Sequence, residues 1–290
     1  MSFPFAGGVA VVTGAAGGIG RSLAHRFARD AMRLVIADVD EAALGAVRDE
    51  LVSAGADVEA LRVDVSDAAD VQRLADAACK RFGTVSILCN NAGIVVGGRA
   101  RAIWEYDVED WRWSLDVNVM SIAHGLRSFI PRMIAQGDRA HVVNTASIAG
   151  LVTGAHNPVY SMTKHAVVRA SEALQASLIE RGHPIGVTCL CPGIVRTRIY
   201  HSERNRPAAL TPAGGPPQDS AELLAAAEIG MEPDQVADIT RDAIIENRFY
   251  ALTSDAFDGM IRARFEAILS RRNPVYENPL GVARNAAATR

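Results

Sequence analysis

The chain has 290 residues, enough for one α/β domain that buries roughly three-quarters of its unfolded surface and needs no metal or disulfide to hold it. A net charge of −3, with both signs interspersed, argues against a nucleic-acid binder or a polybasic membrane surface. Apolar residues make up 49% of the chain, in runs too short to span a membrane.

The opening stretch, MSFPFAGGVAVV, lacks the basic region and small-residue cleavage site of a secretory signal. From there short apolar runs alternate with amphipathic segments. The runs are GVAVVTG, RLVIAD, VEALRVDV, VSILCNNAG, AHVVNTAS and IGVTCLCPG. They lack strict alternation and are too short for helices, so they read as strands covered on both faces. The helical segments fall at about 19–30, 40–54, 67–82, 110–136 and 158–181. Strand and helix in strict turn predict an α/β fold, a doubly wound (Rossmann-type), mostly parallel sheet flanked by helices on both faces. Residues 193–220 are rich in Pro, Gly and Arg and predict a lid, a binding loop or disorder. A helix at about 233–246, a strand RFYALT and a helix in DAFDGMIRARFEAIL follow. The expectation is a single domain over 1–275, a variable substrate loop at about 193–230 and a tail at 276–290. Cys79, Cys89, Cys189 and Cys191 fit no zinc or redox spacing and read as reduced core residues of a cytoplasmic protein.

The first strand ends in TGAAGGIG, with Gly14, Gly17, Gly18 and Gly20 directly before a helix beginning near Ile19. Such a turn lets a diphosphate approach bare amides at a helix N-terminus. The spacing is not G-x-G-x-x-G. The second strand ends at Asp38, the right distance on for an acid at an adenosine ribose. That carboxylate accepts hydrogen bonds from both ribose hydroxyls and repels a 2′-phosphate, and no base follows it, with Arg21 the only nearby cation. NAD is therefore expected over NADP.

Four further features fall at strand ends, where open α/β sheets bind ligands: Asp64-Val65, Asn90-Asn91-Ala92-Gly93, Ser147 in NTASIAG, and Pro192-Gly193 with Thr197 close behind. In PVYSMTKHAVVRA, Tyr160 and Lys164 stand at i and i+4 on one helical face. With Asn118 in LDVNVMS and PGIVRT at 192–197, these motifs stand in one order, and the sequence resembles the classical short-chain dehydrogenase/reductase family over about residues 8–200.

The resemblance implies an NAD-dependent oxidoreductase that interconverts a secondary alcohol and a ketone, with Asn118, Ser147, Tyr160 and Lys164 as its catalytic set. It places the cofactor against Gly14, Gly17, Gly18, Ile19, Gly20, Asp38, Asp64, Val65, Asn91, Ala92, Gly93, Tyr160, Lys164, Pro192, Gly193, Val195 and Thr197, with no metal. A free tyrosine lies about three pKa units, roughly 4 kcal/mol, from half-ionisation at neutral pH. A cation about 4 Å away contributes on the order of 4 kcal/mol at an effective dielectric near 20. Lys164 thus suffices in principle to bring Tyr160 into working range, while burial opposes it. Tyr160 then serves as general acid or base, and Ser147 holds the substrate oxygen. The resemblance adds nicotinamide-ribose binding by Lys164 and a water linking Lys164 to solvent through Asn118.

Ser147 also invites a hydrolase reading, but TASIAG is not G-x-S-x-G. The remaining alternatives are an NADPH-dependent reductase of the same fold and a non-catalytic dinucleotide sensor. Substrate is expected between residues 94–104, 148–157 and the lid, against Ile94, Val95, Val96, Trp104, Ile148, Leu151, Val152, Ile194, Ile199 and Tyr200, with His156 a further candidate. That lining suits a hydrophobic body carrying the carbinol. Arg196, Arg198, Arg204 and Arg206 with His201 suggest an anion site or a solvated loop. The long helices at 110–136 and 158–181 have apolar surface to spare, so a homo-oligomer, a dimer or tetramer, is expected.

Overall fold

In β1 (Val9–Thr13) every residue is buried, and alternate side chains enter different cores. Ala10 and Val12 join the cluster holding Leu23 and Phe27, whereas Val9 and Val11 join that of Leu74 and Phe129. β2 (Arg33–Asp38) does the same with Leu34 and Ile36 against Val35 and Ala37. The period-2 alternation of a strand is thus written in two apolar faces, which explains the unbroken runs. The computed structural model describes residues 3–98, 101–154, 157–215, 217–218, 220–278 and 280–282.

Seven strands pair in parallel in the order β3-β2-β1-β4-β5-β6-β7. The others are β3 (Val58–Arg62), β4 (Ile87–Asn90), β5 (Ala140–Thr145), β6 (Ile185–Cys191) and β7 (Tyr250–Leu252). One face carries α1 (Gly18–Arg29), α2 (Glu41–Ser53) and, following α7 (Ala221–Glu228), α8 (Pro233–Glu246). The other carries α3 (Ala68–Phe82), α5 (Ser121–Gln136) and α6 (Pro158–Glu180), with α4 (Val108–Leu115) leading into α5. α9 (Asp258–Leu269) packs beside β6. Truncating a fully buried side chain such as Leu34 or Ile87 to alanine costs about 2–5 kcal/mol. Chain order reverses between β1 and β4, opening a crevice at the carboxyl ends of the strands.

Two elements differ from expectation. The helix predicted across 110–136 is α4 and α5 joined by a π-helical turn, Asp116–Met120, that holds Asn118. α7 lies where an irregular loop was expected, and the preceding stretch is organised into 3-10 turns at Arg198–Asn205 and Ala208–Leu210. Leu280, inside the segment expected as a tail, is buried. No helix among the described residues is long and apolar enough to cross a membrane.

Candidate active site

The glycine loop closes tightly over the end of β1. Gly14 has φ +68° and Gly18 φ +51°, conformations that side chains resist. A Cβ on Gly20 would lie 2.1 Å from the Gly14 carbonyl oxygen, so α1 starts against the loop only with glycine there. Asn91 braces the loop by donating to the carbonyls of Thr13 at 3.0 Å and Gly14 at 3.4 Å, and Thr145 Oγ1 donates to its Oδ1. Asp38 Oδ2 accepts from Ala16 N at 2.9 Å and its Oδ1 from Asp40 N at 3.1 Å. The carboxylate is therefore aimed at the loop, and each oxygen keeps a lone pair for a ligand. Arg21, the cation considered near a phosphate, instead pairs with Glu50 at 2.8 Å.

A groove of about 210 Å³ runs from Asp38 past Gly14, Gly17 and Gly18 to Ser147, Tyr160 and Lys164. Ile19, Asp64, Val65, Asn91, Ala92, Gly93, Pro192, Gly193, Val195 and Thr197 also line it. Gly20 and Asn118 do not line it. Gly20 acts through close packing, and Asn118 is buried, its Oδ1 accepting from Ile94 N at 2.8 Å while Nδ2 donates to Ile94 O and Thr163 Oγ1. Both amide hydrogens of Asn118 are thus spent on the strand-end loop and α6.

Ser147 caps a 3-10 turn at Ile148–Gly150, with Oγ accepting from Ala149 N at 3.1 Å. A Cβ on Gly150 would lie 2.7 Å from the Lys164 carbonyl carbon, so glycine lets this turn dock on α6 and sets Ser147 beside Tyr160. Lys164 is buried and donates to Thr145 O at 2.9 Å, with Nζ 5.6 Å from the Tyr160 ring centroid. Burial pushes the Tyr160 phenol well above its ordinary value, against a smaller lowering by the Ser147 hydroxyl. Burial also brings Lys164 down to about 8. In the chain by itself, desolvation therefore dominates at the phenol.

A second cavity of about 110 Å³ opens at Ser147 and Tyr160. Val95, Ile148, Val152, Ile194, Ile199 and Tyr200 line it as expected. Ile94, Val96, Leu151 and Trp104 do not: Ile94 lines the groove instead, Val96 and Leu151 are buried in the core, and Trp104 is 83% exposed because the 3-10 turn carrying it sits on the surface. Leu223, Phe257 and Leu280 complete the wall, unforeseen because they come from α7, the start of α9 and the C-terminal segment. His156 lies outside the described residues. Of the arginine run, Arg196 pairs with Glu232, Arg204 donates to the carbonyls of Arg198 and His201, and Arg206 is buried against Asp110 and Glu203.

Residues 8–208 match the model of the short chain dehydrogenase family. The chain belongs to the short-chain dehydrogenase family. It is an oxidoreductase of that fold. Among its relatives, a CLA biosynthesis dehydrogenase/reductase of Lactiplantibacillus plantarum is 35% identical, covering 92% of this chain and 94% of that protein. A 1-deoxy-11-beta-hydroxypentalenate dehydrogenase of Streptomyces exfoliatus is 38% identical, over 88% of this chain and 85% of its own. A short chain dehydrogenase/reductase from Burkholderia phymatum, solved in complex with NAD, superposes with a TM-score of 0.90 at 43% identity, covering 95% of this chain and 99% of its own.

Proposed function

We propose that this short-chain dehydrogenase interconverts a secondary alcohol and a ketone with NAD, using Tyr160 as general acid or base, Ser147 to orient the substrate oxygen and Lys164 to set the field at the phenol. The observation that carries the reading is the meeting of the groove and the apolar cavity at Ser147 and Tyr160. The glycine cradle and the aimed carboxylate of Asp38 fit a dinucleotide, and the Burkholderia phymatum neighbour was solved with NAD. When bound, NAD supplies the hydride acceptor.

Against that acceptor the chain's own residues have separable tasks. Ser147 Oγ donates to the substrate oxygen, and the phenolate form of Tyr160 Oη takes the carbinol proton. In reduction the neutral phenol returns it. A phenol raised by burial is held protonated, ready to donate, so the chain by itself favours the acid role. For the base role, Lys164 at about 8 remains mostly cationic at neutral pH, and with Nζ 5.6 Å from the Tyr160 ring centroid it stabilises the phenolate. Asn118 acts on the set indirectly by fixing Ile94, which lines the groove, to α6.

The substrate carries its carbinol on a hydrophobic body, matched to Val95, Ile148, Val152, Ile194 and Leu280. A relative named for a hydroxypentalenate supports a bulky substrate of this kind. The test is a panel of apolar secondary alcohols with NAD, run on wild type and Tyr160→Phe. The variant should lose about two to four orders of magnitude in kcat while its NADH affinity stays within threefold. Turnover retained in the variant removes Tyr160 from the mechanism.

A further inference from the structure

We infer that Arg198 clamps the diphosphate of the dinucleotide against the N-terminus of α1, a role that rests on the NAD reading above. Its guanidinium reaches back from the 3-10 turn after Thr197 across the mouth of the groove to the glycine loop, where Nη2 donates to Ala16 O at 3.4 Å. That bond is long, and the side chain is exposed. No carboxylate pairs with it among the described residues, so most of its five donors remain for a ligand. The surrounding arginines are committed elsewhere: Arg21 to Glu50, Arg196 to Glu232, and Arg206 to Asp110 and Glu203.

The opposing wall is equally prepared. α1 is capped by Gly17, which has no side chain to accept from its amides, and its first turn holds no acid. Helices α2 and α3 are capped by aspartate side chains, Asp40 and Asp67, whereas α1, like α4 and α6, starts with no side-chain cap. A Cβ on Gly17 would lie 3.3 Å from Arg198 Nη2, which shows how closely the guanidinium covers the loop. An anion between the two meets helix amides on one side and a planar cation on the other.

Ala16 divides the labour along the groove. Its N–H donates to Asp38 and its carbonyl accepts from Arg198, which sets an anion and a cation on opposite sides of one residue. The carboxylate suits a ribose with free hydroxyls, and the cation suits the phosphates next to it. Thr197 holds the register, with its methyl group against Gly18 and its Oγ1 accepting from Ile199 N. Arg198 sits one residue before Ile199 and two before Tyr200, both of which line the substrate cavity. The same turn therefore grips the cofactor and walls the substrate.

The experiment measures NADH, NADPH and ADP-ribose affinities by fluorescence titration or displacement, with adenosine as the probe lacking phosphate, for wild type, Arg198→Ala and Arg198→Lys. Arg198→Ala should weaken NADH and ADP-ribose about ten- to a hundredfold, leave adenosine within twofold, and flatten the rise of the NADH Kd with salt. Arg198→Lys should recover part of the loss, because it keeps the charge without the fork. Equal weakening of adenosine and NADH would assign Arg198 to packing of the lid and overturn the proposal. Loss of NADPH with NADH unchanged would assign it to a 2′-phosphate and overturn it equally. A wild type that binds no NADH removes the NAD reading itself, whereas a wild type that binds beside an unaltered Arg198→Ala sinks the clamp alone.

Discussion

Replacing Arg206 with methionine removes a cation from a buried cluster that holds the wall of the substrate cavity in place. Arg206 and Asp110 have side chains 1% and 0% exposed and meet at 2.8 Å. Arg206 also binds Glu203 at 2.6 Å and donates to Leu210 O, while Arg101 holds the other oxygen of Asp110 at 3.0 Å. The guanidinium lies 4.2 Å above the Trp113 ring. The charges of Arg101, Arg206, Asp110 and Glu203 cancel, so Arg206→Met leaves one uncompensated negative charge in a site that excludes water. Breaking a buried pair in this way costs about 3–5 kcal/mol. The protein has a cheaper escape than unfolding. Freeing the turn at Arg198–Asn205 gives up the bonds of Val95 N to Ser202 Oγ and Gly97 N to Glu203 Oε1, each worth about 1 kcal/mol, and returns Glu203 to water. Local opening should therefore absorb most of the penalty. Hydrogen exchange followed by mass spectrometry should speed up about a hundredfold in peptides spanning 94–98 and 197–210, while strands β1 and β4 keep their protection. Tm should fall by less than about 5 °C, whereas a cluster coupled to the whole core would lower it by about 6 °C or more at 2–4 °C per kcal/mol. Unchanged exchange together with an unchanged Tm would refute the argument that the cluster's charges are interdependent.

Asp38→Ala should lower the preference for NADH over NADPH at least tenfold in paired titrations, with a small loss of stability because Ala16 N and Asp40 N lose their acceptor. An unaltered ratio would take Asp38 out of cofactor selection. His141 predicts a pH dependence of stability. It is buried and donates Nε2–H to Thr188 Oγ1, whose own proton goes to Arg248 O. Burial, with Arg139 adding to it, brings its pKa down to about 3. A folded-state value below the unfolded 6.5 means that the unfolded chain binds the extra proton, so the contribution is complete above pH 6.5 and fades as pH falls toward 3. The loss is about 2 kcal/mol at pH 5. Denaturant melts at pH 7 and pH 5 should show it, and His141→Gln should flatten that slope; a slope unchanged in the variant would locate the titration elsewhere. Gly150→Ala forces a Cβ to within 2.7 Å of the Lys164 backbone, so kcat should fall at least tenfold as Ser147 moves off Tyr160, with NADH binding little changed. Wild-type kcat in that variant would show that the turn does not position Ser147.

The parts of this protein that were legible in its sequence are those whose causes are local. A strand buried on both faces must be mostly apolar, so β1, β2, β4, β5 and β6 announce themselves as short runs. A backbone forced to φ +68° at Gly14, or pressed to 2.1 Å at Gly20, selects glycine and leaves a readable mark. Where the cause is tertiary, the mark disappears. Helical periodicity cannot register the single extra residue of the π turn at Asp116–Met120, whose value lies in bringing Asn118 to the backbone of Ile94. Trp104 reads as cavity lining because it is large, apolar and near the correct strand end, yet the cavity wall is completed by Leu223, Phe257 and Leu280 from remote segments.

The arginine run shows the same division most sharply. Four similar residues on one loop read alike, as solvated cations or as an anion site. Arg206 is a buried structural ion because Asp110, 96 positions away, waits at 0% exposure. Arg196 is tied to the start of α8, and Arg198 crosses 182 positions to the glycine loop. Charge is legible in a sequence, but what a charge does depends on the counter-charge that the fold delivers. In this protein the fold delivers a carboxylate to Arg206 and Arg196, and a bare helix end to Arg198. One loop can therefore be anchored through two of its cations and still keep a third for the cofactor.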